Sequence, residues 1–296
     1  WYNAYRFFVQ NAQRFELVHK QTYSFDPDSV PKAHNFMDKW IVAASQNLIK
    51  NVRHEMDNYR LYTVLPSLLG FLDNLTNWYV RLNRYRLKGE TSFSDCKAAL
   101  DVMFSTLLDF TVLMAPFTPF LTEKLYQNLK LGLPLDSREE SVHFTMIPQF
   151  KRELIDEAIE TSVSRMQTVI EVGRKLRDQK RLPLKTPLAC LKVIHREDKY
   201  LDSLKPVIPY IQKELNCLEV FLEKENKNLV KLKALPNNPV LGARLGKSFN
   251  KELREAISNL SSEEVSNFES NHRIVVKGVE LSKDELVIKR SYEQLG

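Results

Sequence analysis

The sequence predicts a mainly α chain: a helical bundle over residues 34–185, then a small α+β domain over 186–296. Three observations carry this. Several long stretches repeat apolar residues at alternating steps of three and four, the spacing of one helix face. After Pro183 and Pro187 the period shortens, and Val230-Lys231-Leu232-Lys233-Ala234 alternates apolar residue and lysine as a half-buried strand does. Proline and glycine collect between the periodic stretches, where they break them.

Taken in order, Trp1–Phe15 is helical by pattern, with Tyr2, Tyr5, Phe8 or Val9, and Ala12 on one side. Residues 21–33, with Pro27 and Pro31, form a loop. A helix over His34–Asn58 aligns Phe36, Trp40, Ile41, Ala44, Leu48, Val52 and Met56. The stretch Leu61–Lys88 is the one around which the rest is organised. Leu61, Leu65, Leu68, Leu72, Leu75, Tyr79 and Leu82 make its apolar stripe, and Pro66 in its second turn predicts a kink or a start. Gly89–Ser92 breaks it, Ser94 is the candidate N-cap of a helix running to Met114, and Pro116 and Pro119 end that helix. Thr118 or Thr122 restarts a short one through Leu129. Residues 131–152 read as loop with an extended piece at Val142–Met146. The last bundle helix is Glu153–Lys180, its stripe Ile155, Ile159, Val163, Met166, Ile170 and Leu176. Beyond it, Leu191–His195, Cys217–Leu222, Val230–Ala234, Arg273–Lys277 and Glu285–Tyr292 read as strands, separated by helices over 198–215 and 240–260.

Composition bounds function. Of 296 residues, 43% are hydrophobic and 27% charged, ordinary for a globular protein with room for two domains. The net charge of +6 suits a polyanionic partner without requiring one. Cys96, Cys190 and Cys217 are far apart, which excludes a disulfide framework and a Cys-x-x-Cys zinc site and fits a reducing compartment. No apolar run has the length of roughly 18 residues that a membrane span needs. The chain opens on Trp1 with no start signal and ends without a stop signal, so it is expected to be an internal piece of a longer protein.

Two basic faces are the functional candidates. On Leu61–Lys88 at 100° per residue, Asn77, Arg81, Arg84 and Lys88 fall opposite the stripe, with Trp78 and Tyr85 at the border. A solvated face is the plain reading; an RNA phosphate backbone is the sharper one. The end of the last bundle helix carries Arg174, Lys175, Arg177, Lys180 and Arg181, then Lys185, against one acid, Asp178. The helix dipole favours cations there, but six in twelve residues exceeds what capping needs.

Four ordered stretches add a resemblance. Asn77-Trp78-Tyr79-Val80-Arg81-Leu82-Asn83-Arg84 resembles the NWY-x-R-x-x-R signature of the anticodon-binding helical domain of class Ia aminoacyl-tRNA synthetases. Asp38-Lys39-Trp40-Ile41, Met114–Glu123, and Gly173-Arg174-Lys175-Leu176-Arg177-Asp178 running to Leu182-Pro183-Leu184-Lys185 fit the same family. The last segment is most similar to the isoleucyl branch, the whole sequence resembles that branch's eukaryotic cytosolic form, and Glu214-Leu215-Asn216 and Leu241–Gly246 extend the likeness. The resemblance implies a class Ia anticodon-binding bundle over 34–185, preceded in 1–33 by a helix and loop that connect it to a catalytic domain not on this chain. It implies a cytoplasmic protein that positions tRNA(Ile), with an assembly of several synthetases as a further setting; neither DNA nor a membrane is an expected partner. Carried onto this sequence, phosphate or sugar contacts fall to Arg81, Arg84, Lys88, Arg174, Lys175, Arg177, Lys180 and Arg181, with Lys185 weaker. Asn77, Trp78, Asn83 and Tyr85 either read unstacked bases or hold the helix in place, and Trp78 favours packing.

The family's ligases use ATP and Mg with HIGH-like and KMSKS-like motifs. Neither motif occurs here, so no catalytic residue and no cofactor of this chain's own are expected, and the chain alone is expected to be inactive in aminoacylation. The six histidines are scattered and read as surface or packing residues, and no metal ligands are assigned. The cysteine-rich zinc module of bacterial relatives has no counterpart. Gly242-Ala243-Arg244-Leu245-Gly246-Lys247-Ser248 is one residue short of a phosphate loop, and its glycines are expected to serve a tight turn or close helix packing. A valyl or leucyl synthetase fragment, and a helical interaction scaffold without RNA binding, remain as alternatives.

Overall fold

The computed structural model describes residues 1–224 and 230–292. The chain forms two compact units, Trp1–Leu191 with Asp202–Val220, and Lys192–Leu201 with Phe221–Gly296. It is mainly α, a helical bundle with a small α+β part after it.

In the first unit, α1 (Tyr2–His19) buries Ala4, Tyr5, Phe8, Ala12 and Phe15. α2 (Phe36–Asp57) starts where Asn35 accepts from the amides of Met37 and Asp38. The organising stretch is not one α-helix. α3 (Leu61–Asp73) passes into a π-helical segment, Asn74–Val80, and after a break at Asn83 the short α4 (Arg84–Leu87) follows. The i→i+5 bonds of the π segment widen the turn, a feature that periodicity in sequence does not report. The buried arc runs through Val64, Leu68, Phe71, Leu75, Tyr79 and Leu82, while Leu61 and Leu65, expected in the stripe, are exposed. Burial of α3 is decided by α2, which lies antiparallel to it: Asn51 donates to Ser67 Oγ at 2.9 Å, and Tyr79 reaches Asp38 near the start of α2.

α5 (Phe93–Met114) is the central helix, with Leu100, Met103, Phe104, Leu107 and Phe110 essentially inaccessible. Its N-cap is Ser92, which accepts from Asp95 N; the expected cap, Ser94, lies inside the helix. Phe104 meets Phe8, and Phe110 meets Trp1, with ring centroids 5.8 and 5.4 Å apart, so α1 runs antiparallel to α5. α6 (Pro119–Leu129) begins after Thr118. Val142–Phe144, expected to be extended, is a 3-10 turn whose Val142 packs with Val112 and Tyr126. α7 (Glu157–Gln179) is capped by Asp156 and buries Val163, Met166 and Ile170; Leu176, expected in its stripe, is exposed.

β1 (Leu188–His195), α8 (Asp198–Leu204), α9 (Ile208–Leu215) and β2 (Cys217–Lys224) come next, with β1 paired to β2. Residues 202–220, which the sequence places beyond the bundle, fall in the first unit because α9 packs on α7.

In the second unit, β3 (Val230–Pro236) pairs antiparallel with β6 (Leu286–Tyr292), from Val230↔Tyr292 to Pro236↔Leu286. One expected helix is two: α10 (Asn238–Leu245) and α11 (Lys251–Ser258), separated at Gly246 by a φ of 51°. Gly242 lies inside α10, and a Cβ there would meet nothing within 4 Å, so close packing is not its role. α12 (Ser262–Asn271), which the sequence reading did not anticipate, starts with a capping box of Ser261 and Glu264. β4 (Arg273–Val276) and β5 (Val279–Ser282) make a hairpin whose two turn residues, Lys277 and Gly278, both have positive φ, as a type I′ turn requires. Leu232, Ala234, Leu241, Ile257, Val265, Phe268 and Leu281 form this unit's core.

Candidate nucleic-acid interface

The NWY segment is positioned by a buried charge node. Arg86 on α4 is 2% exposed and grips Asp38 of α2 through Nη1 and Nη2, both at 2.9 Å. Its Nε and Nη2 also donate to Asp95 at the start of α5. Tyr79 OH donates to Asp38 Oδ1 at 2.8 Å, and Asn83 accepts from Arg86 Nη1 at 2.9 Å. Burial alone would lower the Arg86 pKa; the hydrogen bonds it donates to Asp38 and Asp95 outweigh it and hold the guanidinium charged. Burial, reinforced by the Asp38 charge, pushes the Tyr79 hydroxyl well above its ordinary range. Arg86 is the principal residue that sequence reading missed. It is an unremarked cation in a basic run, and nothing local distinguishes it from Arg84.

A second node lies where α7 passes the π segment. The two run in the same direction: Gln167 donates to Asn74 at 3.2 Å, and seven residues on in each, Arg174 and Arg81 meet at one carboxylate. That carboxylate is Glu214 of α9, with its side chain 8% exposed. Arg81 grips it side-on, Nε to Oε1 at 3.1 Å and Nη2 to Oε2 at 2.9 Å, while Arg174 donates to Oε2 and lies over the Trp78 ring, 5.8 Å from its centroid. Lys213 caps Tyr85 at 4.2 Å.

The Gly-Arg-Lys-Leu-Arg-Asp and Glu-Leu-Asn motifs therefore interlock. Leu215 fills the space over Gly173, where a Cβ would come within 2.5 Å of its Cδ1. The Leu215 carbonyl accepts from Arg177 Nη1 at 3.2 Å. Asn216, left-handed at φ 48°, donates to the Leu184 carbonyl and accepts from Leu188 N.

These contacts sort the expected contact residues. Asn83 is 1% exposed and Arg177 4%; Asn83 bonds Tyr79 O and Arg86, and Arg177 donates to the carbonyls of Pro183, Thr186 and Leu215. Their side chains hold the backbone rather than face solvent. Trp78, 7% exposed, packs. Asn77 is exposed and bonded to Asp73. Arg81 and Arg174 share Glu214. Arg84, Tyr85, Lys175, Lys180, Arg181 and Lys185 are exposed and Lys88 is half-buried, and none of the cations in this group has an ion pair among the described residues. Past the Glu214 crossing both stretches carry further cations, Arg84 and Lys88 on one and Lys175, Lys180 and Arg181 on the other, and Arg84 lies over the Phe7 ring of α1, 5.9 Å from its centroid. Arg181 sits at φ 55° just past the end of α7, with its amide bonded to Asp178 O. Among the described residues no group of three or more His, Cys, Asp or Glu could hold a metal, and no helix is long and apolar enough to cross a membrane.

The site is a basic stretch of a helical domain whose helices are held by the buried Arg86 node and by the Glu214 node. Residues 38–195 match the anticodon-binding domain of tRNA ligase, and the chain belongs to that family. The relatives narrow the branch. Across 99% of its length the chain is 44% identical to the cytoplasmic isoleucine–tRNA ligase of Mus musculus and 42% identical to the isoleucine–tRNA ligase of Tetrahymena thermophila. Over 98% it is 33% identical to the ligase of that name from Bdellovibrio bacteriovorus. It spans 24%, 28% and 27% of those three proteins, about a quarter of their length.

Proposed function

We propose that this chain is the tRNA(Ile)-binding part of a cytoplasmic isoleucine–tRNA ligase. The reading is supported most directly by the surface cations that α4 and α7 carry within the domain matched as anticodon-binding. Arg84, Lys88, Lys175, Lys180, Arg181 and Lys185 contact phosphates and fix register; Asn77 and Tyr85, the exposed polar and aromatic groups beside them, meet bases. ATP-dependent joining of isoleucine to the tRNA belongs to the remainder of such a ligase, and this chain presents the substrate to it. An assembly with other synthetases is a further partner of the whole ligase.

The test is a binding titration of the chain with tRNA(Ile) transcript, the same tRNA carrying a changed anticodon, and tRNA(Val), at two salt concentrations. Preference for the native anticodon, weakening by orders of magnitude as salt rises, is the expected result. Equal and weak binding to all three would leave the domain a source of general RNA affinity and overturn the isoleucine assignment.

A further inference from the structure

Glu214 stands out in the basic face because it is an acid among its cations, and it is not at the rim. Its carboxylate is almost fully covered and takes the two guanidiniums that α7 and the π segment bring together. Arg81 spends Nε and Nη2 on it, which leaves Nη1 without a hydrogen bond among the described residues, on a side chain that is half exposed. Arg174 is fixed from two sides, by Glu214 and by the indole of Trp78. Three charged groups thus carry a net charge of +1 in place of two loose cations. A phosphate cannot take the place of Glu214. Displacement would strand a covered carboxylate without a partner, which costs more than an exposed phosphate contact returns. An incoming phosphate can use only the edge that Glu214 leaves free.

We propose that Glu214 is a positioning residue of the RNA face. It aims the free edge of Arg81 and cancels the surplus charge of the pair, so that the helix crossing recognises a phosphate at one defined place instead of attracting RNA indiscriminately. The proposal rests on the reading that this face binds tRNA. It gives a function to the Glu-Leu-Asn motif: Leu215 and Asn216 fix α9 against α7 and the segment that follows it, and so bring Glu214 to the crossing.

The experiment compares the parent chain with Glu214→Gln and Glu214→Asp. Each is titrated with tRNA(Ile) transcript and with an unrelated RNA of equal length over a series of salt concentrations, after thermal melting has shown which variants are folded. Glu214→Gln keeps the shape and releases one cation. Its binding to unrelated RNA is expected to rise at low salt, with the log–log salt slope steeper by about 0.7–0.9. Glu214→Asp keeps the charge but is too short to hold both guanidiniums. Its slope is expected to match the parent's. In both variants the preference for tRNA(Ile) over unrelated RNA is expected to fall, on the order of fivefold, the loss of one aimed charge-assisted contact. If either variant unfolds, the other decides, because the preference is read in both. A preference within twofold of the parent's in the folded variants would make Glu214 a packing residue and overturn the proposal. A parent chain that itself shows no preference would overturn the tRNA reading, and this proposal with it.

Discussion

The two arginine nodes use the same chemistry with opposite stoichiometry. At Arg86, one guanidinium serves two acids, Asp38 and Asp95, with Arg86 and Asp38 sealed among α2, the π segment, α4 and α5. At Glu214, one acid serves two guanidiniums, and one of these stays half exposed. The first node leaves no cation over and ties helices together. The second leaves one positive charge at the surface. The difference teaches that basic residues along one stretch, Arg81, Arg84 and Arg86, divide between structure and surface according to which helices supply acids to them, not by their own position in a charged run.

The strongest way to break the comparison is to remove the inner node. Arg86→Met leaves Asp38 buried and without its cation, and unfolding in urea should show a loss of about 3–5 kcal/mol. A loss comparable to that of Arg84→Met, a change at an exposed site, would mean that the two arginines are equivalent after all. Next, charge reversal at the surface: Arg84→Glu with Lys180→Glu should leave the melting temperature near the parent's and weaken tRNA binding by about 2 kcal/mol. Unchanged binding would make these positions a solvated surface. Arg81 is a poor site for such reversal, since a carboxylate there would face Glu214.

Gly173→Ala tests the clasp without touching any charge. The new Cβ meets Leu215 at a distance where something must shift, so a steric loss of about 1–3 kcal/mol stands against a gain in helix propensity of about 1. Net destabilisation of about 1 kcal/mol or more, and lower selectivity among RNAs, is the expected outcome; a stabilised variant would show that α9 yields easily.

Asp109 sharpens the comparison from the other side, as a core-facing acid without an arginine. Burial pushes its carboxyl up to about 7, against opposing pulls from the Lys151 charge and a Ser45 hydrogen bond. The unfolded chain ionises this group near its ordinary value of 3.8, the folded chain only near 7, so the folded state holds the extra proton in between. Its contribution to stability is full below about pH 4 and is lost as pH rises toward 7. Asp109→Asn should flatten that part of the stability profile and raise stability at pH 8 by on the order of 1 kcal/mol, less than the full linkage value because the residue keeps some surface. An identical profile in parent and variant would place the Asp109 pKa at its ordinary value.

Much of this arrangement was legible in the sequence. The helices over 34–58, 94–114 and 153–180 were visible as runs with a period near 3.6, because one-sided burial leaves that trace in composition. The β4–β5 hairpin was half legible: Arg273–Lys277 holds three β-branched residues in a row, Ile274, Val275 and Val276, but Lys-Gly is a weak turn signal and the partner strand is only four residues long. α12 went unseen because its apolar positions, Val265 and Phe268, are too few to set a period. Of the expected contact residues, Arg84, Lys175, Lys180, Arg181 and Lys185 lie at the surface while Asn83 and Arg177 turn inward; Arg86 and Lys213 were not singled out, and Glu214 was noted only as part of a motif.

By itself the sequence determined the helical bundle, the change of period after it, the basic ends of two helices and the family they resemble. These depend on local spacing and on motifs within a few turns. Only the tertiary structure decided which cations are free. Asp38 lies 48 residues from Arg86, and Glu214 lies 133 from Arg81. A charge pair closed across such separations depends on how helices meet, through contacts such as Leu215 on Gly173, and periodicity in one segment contains no information about the acid that another segment will bring.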